Sequence, residues 1–476
     1  MAHAELAFHA DAAEPFVDYA RELVERVTGV RLRPTDEGSA DVDVYYGDDV
    51  RRPCRLRIPR VPSYTTATVP RLPDASAEGV HTSSDFPYDL FSALRFWLAD
   101  EGHAEASDDA FDEHDRLRAD RSVQETLGLR EAPVVNAYLL HFRRWLAARA
   151  GVDVTSHLPS GTRCVVVLSH DVDSPIDPGS PQHVVGAALA NLRRGRKPVQ
   201  SAAYAAGAVV NAARSRFRDP RARHELFTEI MDAEQARGLR STFFVAAVSR
   251  FDAHGRRRDV GYDVARAPLP HALRELTRRG FGLGLHIAYG SQGDAERITA
   301  ERERLEAAAG APVRGSRHHY WHMTRPFWAS LEAHGRAGLH YDSSVGFNAA
   351  PGYRLGIALP FRPWNPEREA PIPVLQVPTL AMDSMLVREP SEPHAVVERF
   401  AGLLSGLKRA EGVAAIDWHE YTSFPGSRKY AAWGQAYLAV LDLLASDAEV
   451  LVRTYDELVE EADLVSARHA SAAARR

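Results

Sequence analysis

The chain has 476 residues, 45% hydrophobic and 26% charged, and its 58 Lys+Arg against 64 Asp+Glu leave a net charge of −6. This is an ordinary globular composition that excludes collagen-like, disordered and disulfide-framework classes and offers no global basic field for nucleic acid. At about 150 residues per domain, the length suits two or three domains, or one large α/β barrel with an extension.

Cys54 and Cys164 are too few for a scaffold or a four-thiolate zinc site and read as buried free thiols. The first ten residues, Met-Ala-His-Ala-Glu-Leu-Ala-Phe-His-Ala, lack the basic and apolar regions of a signal peptide. Nowhere do about 18 apolar residues run together, so no transmembrane segment is expected, and a cytoplasmic location follows by default.

In chain order, residues 14–29 predict an amphipathic helix with Pro15 at its first position and Gly29 at its cap. Val42, Val44 and Tyr46 alternate as in a strand. Leucines 90, 94 and 98 predict a helix near 88–100, and Val134, Tyr138, Leu139, Trp145 and Leu146 another over 133–149. The charged stretch 100–122 reads as loop. No catalytic constellation precedes residue 160, so residues 1–158 are expected to form a smaller α/β domain of unknown role.

A second rhythm starts at Arg163. Short apolar runs at 165–168, 242–245, 281–287, 312–313, 338–341, 374–377, 413–416 and 450–452 alternate with helices at 224–237, 295–309 and 394–410. Strand–helix alternation repeated seven or eight times predicts a parallel β/α barrel over 159–460. Residues 174–223 interrupt it with an Ala-rich, Arg-rich helical insertion, read as a solvated basic face or as a contact for an anionic glycan or a membrane surface. Residues 461–476 read as a disordered tail.

The chemistry-bearing residues fall just after these strands. Asp171 and Asp173 follow the first, as Ser169-His170-Asp171-Val172-Asp173. Two acids at i and i+2 suit a division of labour, one binding a divalent metal and the other serving as a base. His286 ends the third strand, Arg317, His318 and His319 follow the fourth, and Asp342 and Asp383 follow the fifth and sixth. Asp417 and His419 end the seventh. A barrel gathers its active site at this end of its strands.

In these motifs the chain resembles the polysaccharide deacetylase superfamily (the NodB-homology group, carbohydrate esterase family four). Asp171 and Asp173 match its base and metal aspartates in a spaced Asp-x-Asp form. His286 in Gly284-Leu285-His286-Ile287 matches its metal histidine, and Arg317-His318-His319-Tyr320 stands where the family has Arg-x-Pro-Tyr. Tyr341 to Gly346 with Gly352 to Gly356 looks like another shared segment, and Trp418-His419 resembles the motif of the catalytic acid. The resemblance implies a distorted (β/α)7-8 barrel that uses a divalent metal, zinc by preference, to deacetylate sugars.

One departure stands out. The family's further histidine, four residues after His286, is replaced here by Gly290. His319 is the expected substitute, giving a ligand set of Asp173, His286 and His319, with His318 and His322 as competitors. Asp171 is then the base, held ionised by Arg317, and His419 the acid, paired with Asp417. The Tyr320 backbone N–H would serve as oxyanion donor. Asp383 would orient His419 or the substrate, and Trp418, with Trp321 and Trp364, would stack on sugar faces or, as tryptophan more commonly does, pack in the core.

The expected activity is removal of acetyl groups from N-acetylated, or O-acetylated, sugars of a polysaccharide or glycan precursor. The alternatives are hydrolysis of another non-peptide C–N amide bond and non-catalytic glycan binding.

Overall fold

A computed structural model of the chain describes residues 4–11, 14–36, 39, 41–71, 84–175, 225–248, 258–266, 268–387, 392–423 and 430–461. All but the first two residues of the basic stretch 174–223, and all but the first of the tail 461–476, lie outside these. Among the described residues, no helix is long and apolar enough to cross a membrane.

The front of the chain builds a parallel sheet in the order β2-β1-β3-β4 from β1 (Ala4–Ala10), β2 (Val30–Pro34), β3 (Val44–Gly47) and β4 (Leu56–Pro59). The helix Pro15–Thr28 crosses from β1 to β2. It starts on Pro15 and ends at Gly29 in the left-handed conformation (φ 69°), whose N–H closes onto the Glu25 carbonyl. Helices Leu90–Leu98, capped by the Asp89 carboxylate on the Ser92 N–H, and Val134–Ala150 complete this part.

The barrel begins with β5 (Cys164–Val172), followed by β6 (Thr242–Val245), β7 (Gly282–Ile287), β8 (Gly315–His318) and β9 (Tyr341–Asp342). A two-stranded hairpin, β10 (Trp364–Asn365) and β11 (Ala370–Pro371), intervenes before β12 (Leu375–Gln376), β13 (Thr379–Met382), β14 (Val413–Asp417) and β15 (Val450–Arg453). The pairing runs β12-β9-β8-β7-β6-β5-β14-β13, every pair parallel.

The two ends of that path, β12 and β13, are consecutive in the chain. One run thus pairs with β9 through Leu375–Gln376 and with β14 through Thr379–Met382, which closes the ring at seven positions. Pro378, which has no N–H to give a ladder, stands at the switch between partners, and its carbonyl accepts from Ala415 N at 2.7 Å. The eighth strand, β15, pairs with the lower half of β5 (Cys164–Val167), below where β6 pairs with its upper half. The distorted (β/α)7-8 barrel is therefore present.

Two apolar runs are not the strands expected of them. Residues 312–313 precede the fourth strand, which is the polar run Gly315–His318, wholly buried. Gly315 begins it because a Cβ there would lie 1.9 Å from the Tyr341 ring. The run 338–341 reaches the ladder only at Tyr341.

Strand alternation sorts side chains between two cores. Val165, Val167, Phe244, Val413 and Ala415 face the barrel interior and join the core of the front region, whereas Val166, Leu168, Phe243, Leu285, Ala414 and Ile416 face the outer helices. The same parity carries Asp171, His286, Arg317 and Asp417 inward, above the apolar interior.

The helix Val134–Ala150 fastens the front region to the barrel. The Asn136 amide donates to the carbonyls of Ala358 and Ala410 and accepts from Ala358 N. Arg143 grips both oxygens of Glu411, and Ser156 Oγ donates to the same carboxylate at 2.7 Å. Burial pushes the Glu411 carboxyl up, but Arg143 and Ser156 outweigh it and hold the group near 2. A depressed folded value means stability that is present above the ordinary 4.5 and is lost as pH falls toward 2. Glu411→Gln is expected to cost on the order of 1–3 kcal/mol at neutral pH, with a gap to the parent in denaturant midpoint that narrows from pH 7 to pH 3. A gap that does not change with pH would refute this account of the junction.

Candidate functional site

Six ionisable side chains converge at the upper end of the ring. Asp171, on the last turn of β5, is buried and accepts from Arg317 Nη1 at 2.8 Å. Asp173, two residues on and of the same parity, sits at the centre. Its Oδ1 is buried without a hydrogen-bond partner and lies 3.5 Å from both His286 Nε2 and His319 Nε2. Its Oδ2 lies 3.8 Å from His419 Nε2.

Each imidazole is fixed through its other nitrogen. His286 Nδ1 donates to the Arg317 carbonyl at 3.1 Å, His319 Nδ1 to Asp259 at 3.2 Å, and His419 Nδ1 to both oxygens of Asp383 at 3.1 Å. Three Nε2 atoms are thereby turned toward one carboxylate. Metal-binding histidines are held in this way, with the far nitrogen committed to a carbonyl or carboxylate. Asp173, His286 and His319 bring one ligand atom each within 4.8 Å of one another, as do Asp171, Asp417 and His419.

The first group fits a divalent ion. It offers one carboxylate and two oriented imidazoles, the three-ligand set of a catalytic zinc site, and the orphaned Asp173 oxygen has no other occupation. The second group does not fit, because the Arg317 guanidinium already lies between its two carboxylates.

The electrostatics follow from this packing. Burial works against the Asp173 carboxylate, yet the charges of His319 and His419 and contact with His286 draw it well below the usual range. His319 is discouraged from charging by burial but is raised to about 9 by Asp173 and Asp259. A bound cation would displace that proton. Asp383 raises His419 well above the ordinary histidine value, so its imidazole is held protonated.

Arg317 is fully buried and bonds through both Nη atoms, while its Nε has no hydrogen-bond partner. Nη1 donates to Asp171 and to Asp417 (2.7 Å), Nη2 to Tyr455 Oη (2.8 Å) and Ser343 Oγ (3.2 Å), and the guanidinium lies 4.4 Å from the Phe244 ring centroid. One positive charge faces two buried carboxylates. Burial, then Asp171, push the Asp417 carboxyl up to about 7.

Several expectations are corrected. Asp417 does not pair with His419. It is buried against Arg317 and Ser169, and Asp383 takes the place behind His419. Since Asp383 and Asp417 are both buried, neither lines a substrate surface, and Asp383 orients His419 instead.

Trp418 does not stack on sugar. Its parity is that of Ala414 and Ile416, so it points outward into the helix-facing core and is 1% exposed. Trp321 and Trp364 are buried as well. Asp342 leaves the mouth to hold Ser316 Oγ and the N–H of Ser344. His318 faces outward against His334, and His322 stacks on Tyr289, which leaves His319 alone of the three beside Asp173. Cys164 is buried and Cys54 only half-buried, both as free thiols.

Sequence reasoning missed three supports. Asp259 holds His319 and also accepts from Tyr289 N at 2.6 Å. Glu420, fully buried, accepts from the N–H groups of Asp173 (2.9 Å) and Ser174 (2.6 Å) and so fixes the backbone that carries the central aspartate. Its place directly after His419 was the available signal. The third support comes from the front region. Arg116 donates to the Tyr320 carbonyl at 2.8 Å, and His114 packs on the Tyr320 ring.

No protein-family model and no curated protein matches the chain. Solved structures similar to it include a Mycobacterium smegmatis protein assigned to the polysaccharide deacetylases, at 17% identity over 65% of this chain and 93% of that one, with a TM-score of 0.41. Another is the CE4 domain of a xylanase from the hindgut metagenome of Trinervitermes trinervoides, at 13% identity over 63% and 91%, TM-score 0.32. A third is a CE4-family pseudoenzyme from Bacillus anthracis, at 9% identity over 63% and 66%, TM-score 0.32. Likeness this weak decides nothing about activity, and enzymes and a pseudoenzyme stand side by side in it.

Arg317→Ala would leave Asp171 and Asp417 buried together without their counter-charge. It should cost roughly 3–5 kcal/mol in denaturant unfolding. Arg317→Lys should fail to restore the loss, because a single ammonium cannot reproduce the fork that reaches Asp171, Asp417, Tyr455 and Ser343. Parental stability in Arg317→Ala would contradict this account of the site.

Proposed function

We propose that the protein is a metal-dependent hydrolase that removes acetyl groups from N-acetylated sugars of a polysaccharide or glycan precursor. The observation that carries this is the convergence of two oriented imidazoles on the unpartnered Asp173 oxygen, with a buried Asp171 on one side and a protonated His419 on the other. A non-catalytic glycan binder has no use for an acid and a base placed across one carboxylate.

Asp173, His286 and His319 would hold the ion, zinc being the metal whose ligand preferences they meet. A divalent ion bound there supplies Lewis-acid polarisation of the acetyl carbonyl and makes a water molecule more acidic. The protein's own residues do the rest. Arg317 holds Asp171 in place through Nη1 at 2.8 Å, and the Asp171 carboxylate takes the proton of the attacking water. The Tyr320 N–H would stabilise negative charge on the carbonyl oxygen as the tetrahedral intermediate forms. His419, held charged and aimed by Asp383, gives its proton to the sugar nitrogen as the C–N bond breaks, which releases acetate and the free amine. The protonated Asp171 and neutral His419 then return to their starting states by exchange with solvent.

Metal analysis is expected to find about one divalent ion per parent chain and none in Asp173→Ala or His286→Ala. His319→Ala should lose it too, and Asp259→Asn should weaken it by roughly 10–100-fold. Full occupancy in the first two variants would sink the ligand assignment. Asp171→Asn should keep the ion yet release acetate from acetylated sugars about 10²-fold more slowly or worse. His419→Ala should lose turnover mainly through kcat, since its proton is needed only as the amine leaves. Near-parental turnover in both would place the chemistry elsewhere.

A further inference from the structure

The opposite end of the barrel carries a feature that the candidate site does not use. A cavity of about 520 Å³ opens there between the barrel floor and the front region. Val165, Leu375, Val413 and Leu451, each first or second in its strand, form the floor. One wall is the helix Pro15–Thr28, and the other includes Leu458. Asp171 stands six residues above Val165 on β5, a rise of about 20 Å, so the cavity is no part of the candidate site. Small-molecule sites measure roughly 300–1,000 Å³, favour domain interfaces, and combine an apolar lining with a few placed polar groups. The volume, floor and position of this cavity meet that description.

The placed polar group is Arg26. It is half-buried in the wall, and its Nη2 donates to the Pro360 carbonyl at 2.6 Å. Among the described residues, no carboxylate lies within 4 Å of its guanidinium, whereas other arginines sunk into the fold are paired. Arg143 grips Glu411, Arg354 grips Asp100, and Arg317 has two aspartates. Burial draws the Arg26 guanidinium down from its ordinary value, with Tyr19 and then Glu22 opposing. His157, in the same wall, brings no second charge, because burial and then Arg26 hold its imidazole down at about 4.

A partly desolvated cation above an apolar floor calls for a negative charge attached to an apolar body. At the mouth, exposed Arg362 stands with exposed Glu22 and Glu461. The inner charge is therefore a single one, matched by a carboxylate rather than by a phosphate monoester carrying about −1.5 to −2.

We propose that this cavity binds a single-chain aliphatic carboxylate, with its head on Arg26 and its chain along the barrel floor, as a site separate from the candidate site above. The inference does not depend on the deacetylase reading. It gives the front region a task of its own, since the helix that carries Arg26 belongs to it.

The test is calorimetric titration of the full chain with dodecanoate, below the concentration at which it forms micelles. Saturable binding of one molecule per chain is expected. Dodecan-1-ol, the same chain without the charge, should bind about tenfold more weakly or worse, and acetate, the head without the chain, should not bind. Dodecyl phosphate should bind more weakly than dodecanoate. Arg26→Gln should bring dodecanoate down to the affinity of the alcohol, and Leu458→Trp, which fills the apolar end, should weaken acid and alcohol alike. Absence of saturable dodecanoate binding overturns the site. Equal affinity for acid and alcohol overturns the role of Arg26, even if neither variant folds. Parental affinity for dodecanoate in a folded Arg26→Gln or Leu458→Trp protein overturns the placement, and dodecyl phosphate binding as tightly as dodecanoate overturns the choice of head.

Discussion

A single buried guanidinium organises the upper half of this barrel. Isolated burial of a charge costs many kcal/mol, and the cost is met only by partners at close range. Arg317 finds them at both Nη atoms, and only its Nε goes without. Two carboxylates, a phenol and a hydroxyl take its N–H groups, and Phe244 floors it. The arrangement has two consequences at the site. Its side chain fixes where Asp171 can sit, and its carbonyl fixes which nitrogen of His286 carries the proton. The crowding of two carboxylates on one positive charge is felt at Asp417, whose carboxyl burial and then Asp171 push up to about 7.

Much of this was legible in sequence, for reasons that can be named. Apolar periodicity gave the helix Ala295–Ala309 to the residue, since Asp294 caps its start and Gly310 its end. It failed at β8, because Gly-Ser-Arg-His carries no apolar signal and is a strand only by virtue of its partners. It also failed at β1 and β2. There, short strands of the front sheet hold alanine and arginine where the pattern expects branched apolar residues. The run 374–377 reads as one strand because nothing local shows that the chain changes partners at Pro378.

The site was legible in its strand-end residues and not in their supports. Asp171, Asp173, His286 and His319 come together because period-two alternation sends all of them inward, and the same rule sends Trp418 outward. Applied consistently, it would have removed Trp418 from the sugar-binding set at once. Asp259 and Glu420 were invisible because a supporting carboxylate has no spacing rule. Each is recognised only by the N–H it accepts. Arg116 was harder still, 204 residues from the Tyr320 carbonyl it holds, in a stretch whose charge reads as loop.

Assigning the third proposed ligand to His319 changes what the site depends on. A histidine four residues beyond His286 would belong to the same loop and could adjust with it. His319 instead follows directly on the next strand, and its distance from His286 is set by the ladder in which His286 stands opposite Arg317 and Ile287 opposite His318. A slip of one residue between β7 and β8 would turn both Arg317 and His319 outward and dismantle charge cluster and ligand set together. The register is therefore under a double constraint. The demand of the buried guanidinium for its carboxylates holds the two strands in step, and it thereby holds the histidine that would complete the proposed triad, one residue beyond the end of β8.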